Sequence, residues 1–308
     1  IIELLLITNI TIEMGFLKSL LGLGGDDDAA KNDDNKSKEF DVLKYDGVRA
    51  LRMGQNEYAV KCFEHALQIH DDLETCDYLS QAYLRLGDLE NSYQYLGRLA
   101  EAQPDNEQIW LRMANVAYMR EDYDAQQQMS NKALEVNPES AEAHYLLAQS
   151  YVGQGNPILA IAMLTKAIAI NEAFLGANLL RGETLLKMGD LAGAEADVKL
   201  LMEKVPENED ALLLAARVAK AKDDLDGALA YYDRVIDANP FSAAAMKERG
   251  AVKYAKGDKE GAEADARAAL ELEPEQVADV NGDYTARGTE DIQRKVEEAY
   301  RNSNPFGV

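Results

Sequence analysis

The chain has two cysteines, Cys62 and Cys76, three histidines and a single tryptophan, Trp110. Two thiols make neither a disulfide framework nor a zinc site, and both are expected to be small buried side chains on packed helices. Positive charge is scarce as well: 32 Lys and Arg stand against 55 Asp and Glu, a formal net charge of −23. Nucleic acid, whose phosphates demand a basic face, is therefore excluded as a partner, and an anionic membrane would not attract the chain. No run of about 18 apolar residues occurs, so no membrane span is expected. Recognisable reaction centres are missing too. His65 and His70 are five apart, which on a helix does not aim both at one metal, and no HExxH, GxSxG or phosphate-loop motif is present. The many carboxylates are spread along amphipathic stretches as solvated faces. A non-enzyme with no cofactor and no metal is expected.

Proline is sparse, seven in all, yet five of them obey a rule. Pro104, Pro138, Pro206, Pro240 and Pro274 lie on one 34-residue period, the mark of a repeat architecture. Glycine follows the same period at Gly87, Gly155, Gly189 and Gly257, with Glu121 and Asp223 standing in its place twice. One further step, shorter by one residue, reaches Gly54. The units are 40–72, 73–106, 107–140, 141–174, 175–208, 209–242 and 243–276.

Each unit reads as two helices. The glycine column closes the first, because a residue free to take positive φ can end a helix and turn the chain. The proline column stops the second, since proline lacks an amide hydrogen and pushes its predecessor out of the helical region. Just beyond come Asp72, Asn106, Ser140, Asn208 and Ser242, good N-caps for the next unit. Glu107, Glu209 and Asp210 then place negative charge in a first helical turn, where the helix dipole favours it. Small residues recur at the eighth position (Gly47, Ser80, Ala114, Ala148, Gly182, Ala216, Gly250) and at the twentieth (Ala59, Ser92, Ala160, Ala194, Ala228, Ala262), where Gln126 is the exception. They let two helices approach closely. Phe63, Leu96, Leu164, Val198 and Tyr232, at the twenty-fourth position, fill the space between units. One helix pair cannot bury its faces alone, so stability must come from stacking.

This pattern resembles the tetratricopeptide repeat, on Trp110 at position four of its unit and on Leu147, Ala148, Tyr151, Gly155, Ala160, Leu164 and Ala167 of unit 141–174. Glu172 departs from the family proline there. The resemblance covers 40–276 and implies an all-α, right-handed superhelical solenoid of seven hairpins that binds a protein or peptide partner. It also implies that positions 2, 5, 9, 12 and 13 of the first helices line a concave groove. Carried over, the groove residues are Leu111, Asn115, Tyr118, Met119, Tyr145, Gln149, Val152, Leu179, Leu186 and Leu213. Tyrosines would supply contact area at low entropy cost, while Asn115 and Gln149 could bond an extended peptide backbone. The family's carboxylate clamp for acidic C-terminal tails is only partly matched. Lys44 and Arg112 fit it, but Val48, Tyr78 and Gln108 break it.

The ends read differently. Residues 1–38 are expected to be a disordered N-terminal segment that includes the acidic, core-less stretch 24–38. Within it, Phe16, Leu17, Leu20 and Leu21 form an apolar stripe at helical spacing, and the second functional reading is a membrane tether through residues 14–23. Met14 with Gly15 and Ser19 also fits a myristoylation pattern, and Met14 is the expected native start. Residues 277–308 are expected to hold a C-terminal capping helix over 289–302, with Ile292, Val296 and Tyr300 on one face. The acidic, disulfide-free composition makes the cytoplasm the expected location.

Overall fold

A computed structural model describes residues 25–272, with side chains from residue 35 onward. The predicted capping helix, the apolar stretch 14–23 and residues 1–13 lie outside the described residues. Fourteen helices, and no strand, occur among the described residues. Two compact units part between Glu139 and Ser140. The first holds α1 (Gly25–Arg52), α2 (Asn56–Ile69), α3 (Leu73–Leu86), α4 (Leu89–Ala102), α5 (Glu107–Met119) and α6 (Tyr123–Val136). The second holds α7 (Ala141–Gly153), α8 (Pro157–Ile170), α9 (Leu175–Lys187), α10 (Leu191–Lys204), α11 (Glu209–Ala221), α12 (Leu225–Ala238), α13 (Ala243–Ala255) and α14 (Lys259–Leu272). Consecutive helices pair from α1–α2 to α13–α14, seven hairpins in all, and within each unit every hairpin stacks on the next. One difference from composition stands at the start. α1 runs through residues 25–38, where a disordered segment is expected. No proline or glycine falls between residues 26 and 46, so nothing interrupts a helix propagating from its packed end.

The first helices start where the cap column predicts. Asp72 accepts from the Thr75 amide at 2.8 Å, Ser140 from Ala143 at 3.2 Å and Asn208 from Ala211 at 3.0 Å. A second cap column opens the second helices. Asp88, Asp122, Asp190, Asp224 and Asp258 each accept from the amide three residues on, at 2.9–3.1 Å. Two acids in the first turn do more than meet the dipole. Asn137 donates to Glu107 at 2.8 Å, and Asn239 donates to Glu209 at 2.8 Å, tying the end of each second helix to the start of its own first helix.

The turn column behaves as a demand for positive φ. Gly54, Gly87, Gly155, Gly189 and Gly257 sit at φ 73–87°, and Glu121 (56°) and Asp223 (64°) are held in the same region without being glycine. A side chain there costs roughly 1–2 kcal/mol, offset in part by the extra freedom glycine gives the unfolded chain. Glu121→Gly is therefore expected to raise stability by about 0.5–1 kcal/mol, read as a higher urea midpoint with unchanged slope. A midpoint that falls would show that the turn is relaxed around Glu121.

The core runs between hairpins. Leu79, Ala82 and Tyr83 of α3 join Ala59, Val60 and Phe63 of α2 in one buried cluster, while Ala211, Leu214 and Val218 of α11 join Ala194, Val198 and Leu201 of α10 in another. The small eighth position has a geometric cause. A Cβ on Gly47 would lie 2.6 Å from the Phe63 ring, and one on Gly182 would lie 2.8 Å from a Leu214 methyl. Gly182→Ala is expected to cost about 1–3 kcal/mol by overpacking, measured by chemical denaturation, despite alanine's better helix propensity. A stabilised variant would mean that Leu214 can swing aside.

Candidate interaction surface

Only side chains that the stack leaves uncovered can meet a ligand, so packing decides which of the ten groove residues qualify. On α5 of the first unit, Tyr118 is 43% exposed and Met119 54% exposed. Asn115, one turn back, is exposed, and its side-chain amide donates to the Leu111 carbonyl at 3.0 Å. Tyr118 leans toward Tyr123, with ring centroids 6.4 Å apart. Leu111 itself is only 2% exposed. It is a core residue and not, as expected from its position, part of a groove wall. The fifth helical position lies at the edge of the buried stripe, so leucine there is buried at 111 and 213 and half-buried at 179.

On the second unit, Tyr145 and Val152 of α7 are half-buried against a cluster that includes Ala148, Leu164 and Ala177. The Tyr145 ring sits 4.9 Å from that of Phe174, and its hydroxyl accepts from Gln149 at 3.2 Å. Leu179 and Leu186 of α9 are half-buried against Leu201, Leu214 and Val218. Leu213 of α11 is 7% exposed, packed with Tyr232 and Val235, and it too is corrected from groove to core.

The cations that partly match a carboxylate clamp are already engaged. The Lys44 ammonium donates to Asp72 at 2.9 Å and to Glu74 at 2.6 Å. Burial works against its charged form, but hydrogen bonds from Lys44 to Glu74 and Asp72 outweigh this and hold the lysine pKa above its usual value. Arg112 donates to Asp77 and, at 2.7 Å, to the Ser80 hydroxyl. A peptide carboxylate would have to displace these acids.

Three polar assemblies on the second unit escaped sequence reading. Arg181 grips Asp197 with two nitrogens, at 2.9 and 2.7 Å, and reaches Thr165 at 3.2 Å, while Asn178 also donates to Asp197 at 3.0 Å. Two repeats on, Arg249 grips Asp265 at 2.9 and 2.6 Å and reaches Asp233 at 2.7 Å. Both arginines cross-link the helices of one hairpin and touch the hairpin before. The third assembly is Arg217, bidentate to Glu248 at 2.9 and 2.6 Å, with the Tyr232 hydroxyl donating to the same carboxylate at 2.8 Å. Hydrogen bonding to Glu248 raises the Arg217 pKa, and burial together with Glu248 pushes the Tyr232 phenol far above its ordinary value. An Arg–Asp spacing of 16 residues was the available signal, but it also occurs at Arg217/Asp233 and Arg267/Asp283, so spacing alone does not pick out the two clasps.

Among the described residues, no group of three or more His, Cys, Asp or Glu is placed to hold a metal, and no helix is long and apolar enough to cross a membrane. Asp197→Ala strands Arg181 against a buried site, and a loss of about 3 kcal/mol in unfolding free energy is expected. The surface pair Lys132–Glu135, cut by Lys132→Ala, is expected to move stability by less than about 0.5 kcal/mol. Equal effects in denaturation would show that the Arg181 clasp is no more than a surface ion pair.

Stacked helical hairpins with uncovered residues on their first helices define a helical-repeat interaction protein. The chain belongs to the tetratricopeptide-repeat family: models of that repeat match residues 74–106, 141–174, 179–243 and 213–277, together more than half of the sequence. A tetratricopeptide repeat protein from Parabacteroides merdae has a similar fold, with TM-score 0.67 at 17% identity, covering 85% of this chain and 99% of that one. The structure of Pseudomonas aeruginosa pilF gives TM-score 0.55 at 18% identity, over 73% of this chain and all of that one. In sequence, the mouse (Mus musculus) DnaJ homolog subfamily C member 3 is 26% identical over 155 residues, 46% of this chain and 31% of that protein. The human (Homo sapiens) protein O-mannosyl-transferase TMTC1 is 23% identical over 62% of this chain and 22% of its own length. The chain thus aligns with less than a third of either relative.

Proposed function

We propose that this protein is a non-catalytic scaffold whose first helices hold a segment of a partner protein. The repeats 40–72 to 243–276 are the working part under this reading. The observation that carries it is the pair Tyr118 and Met119. Two large side chains stand exposed at the end of α5, with the exposed amide of Asn115 one turn away. Exposed apolar surface beside hydrogen-bonding amides suits a peptide that buries side chains and bonds its own backbone. On the second unit, Tyr145, Gln149 and Val152 of α7 supply the same mixture in half-buried form. Leu179 and Leu186 contribute their uncovered edges, whereas Leu111 and Leu213 support from beneath. The clamp-type recognition of acidic tails is disfavoured, because Lys44 and Arg112 are paired internally.

The test is co-purification from the native host with wild type and with Tyr118→Glu/Met119→Glu. Both positions are solvent-facing, so circular dichroism is expected to report unchanged helix content. Specific partners captured by wild type are expected to fall at least tenfold in the variant. An identical set of captured proteins would remove the α5 surface as the site.

A further inference from the structure

The outer row of the second helices is acidic at both ends in most hairpins. Position 18 is Glu57, Glu90, Asp124, Asp226 and Glu260, and position 29 is Glu101, Glu135, Glu203, Asp237 and Glu271. Helix α8 breaks this rule at both places, with Ile158 and Ala169. It is the one described helix with no Asp or Glu anywhere in its length, and Lys166 is its single charge. Its outward side is apolar: Ile158 is 71% exposed, Leu159 47%, and Ala162, Ala169 and Ile170 are exposed with them.

A surface like this needs an occupant, and charge selects among the candidates. A basic partner would be drawn to the acids the other hairpins keep, and α8 offers it none. A second copy of the same chain has the opposite problem. At −23 each, two copies repel wherever carboxylates face each other, so contact is least opposed where the carboxylates are missing. The row is also self-complementary. Read along the helix, residues 158, 162, 165 and 169 are Ile, Ala, Thr and Ala. Laid antiparallel on itself, Ile158 of one copy meets Ala169 of the other and Ala162 meets Thr165, so the one bulky residue of the row faces a small one, with Leu159 and Ile170 flanking the row. The parallel arrangement would set Lys166 against Lys166 and align the helix dipoles unfavourably.

We propose that the outer face of α8 is a homodimer contact, with α8 of one copy packed antiparallel on α8 of a second about a two-fold axis. Such an isologous contact closes on itself and leaves the first-helix surface free for a partner. One 14-residue helix face covers on the order of half the ~800 Å² per partner of a standard interface, so the dimer is expected to be reversible, with dissociation in the micromolar range.

The experiment is sedimentation equilibrium of the full chain from about 1 to 200 μM, at about 0.15 and 0.5 M salt. The weight-average mass is expected to climb from 34.0 kDa towards twice that value, more steeply at high salt, where repulsion is screened. Ile158→Glu/Ala169→Glu restores the acids that neighbouring hairpins carry at these positions, so it is compatible with the fold. It is expected to remain at 34.0 kDa throughout. Should its circular dichroism fall, Ala162→Gln, which copies Gln128 of α6, replaces it and is expected to weaken the dimer at least tenfold. A wild type that stays monomeric over the whole range overturns the proposal and leaves α8 to a different protein. So does a variant that keeps its fold and dimerises as wild type does.

Discussion

Close approach of one helix to the next at a residue too small to obstruct it is the constraint on which the rest depends. Gly182 admits the Leu214 methyl of the following hairpin, and Gly47 admits the Phe63 ring of its own. A pair of 13- or 14-residue helices has too little apolar surface to stand alone, so each hairpin becomes stable by lending its face to a neighbour. The rule that apolar stripes point inward follows from this. So does the exposure of the side chains that no neighbouring hairpin covers, such as Tyr118 and Ile158.

Polar groups also bridge the helices of the stack. The Arg181–Asp197 and Arg249–Asp265 clasps join the two helices of a hairpin and also reach the hairpin before, so each sets the spacing of three helices. In two other hairpins, Asn137 and Asn239 donate to Glu107 and Glu209 and so tie the end of the second helix to the start of the first. A buried ion pair contributes little net stability over a well-packed apolar pair, but leaving half of it unpaired is costly. Stacking out of step would break the contacts that Arg181 and Arg249 make to the hairpin before. The conformational cost of the turns is concentrated at Glu121 and Asp223, where glycine would have been relaxed.

Much of the candidate surface was legible for a plain reason. A helix presents its side chains on a fixed pitch, so the positions that face outward follow once the unit boundaries are read. Tyr118, Met119 and Asn115 are exposed as that pitch requires. Leu111 and Leu213 are not, because a position at the edge of the buried stripe is claimed by the core when an aliphatic side chain can reach it. Leu179 and Leu186 fall between the two outcomes. The second column of aspartate caps, from Asp88 to Asp258, keeps strict register and could have been read from the sequence alone.

The sequence by itself determined the repeat length, the helix pairs, the caps and the positive-φ turns, because each is a local property of a few neighbouring residues. It also carried the family, through seven copies of one pattern. Only the tertiary structure decided which leucines are buried, which carboxylate answers each arginine 16 or 31 residues away, and that Lys44 and Arg112 are already paired. Those outcomes depend on where a second helix lies across a gap of a few ångströms. A one-dimensional pattern records that a partner must exist, and the stacking of hairpins chooses which one it is.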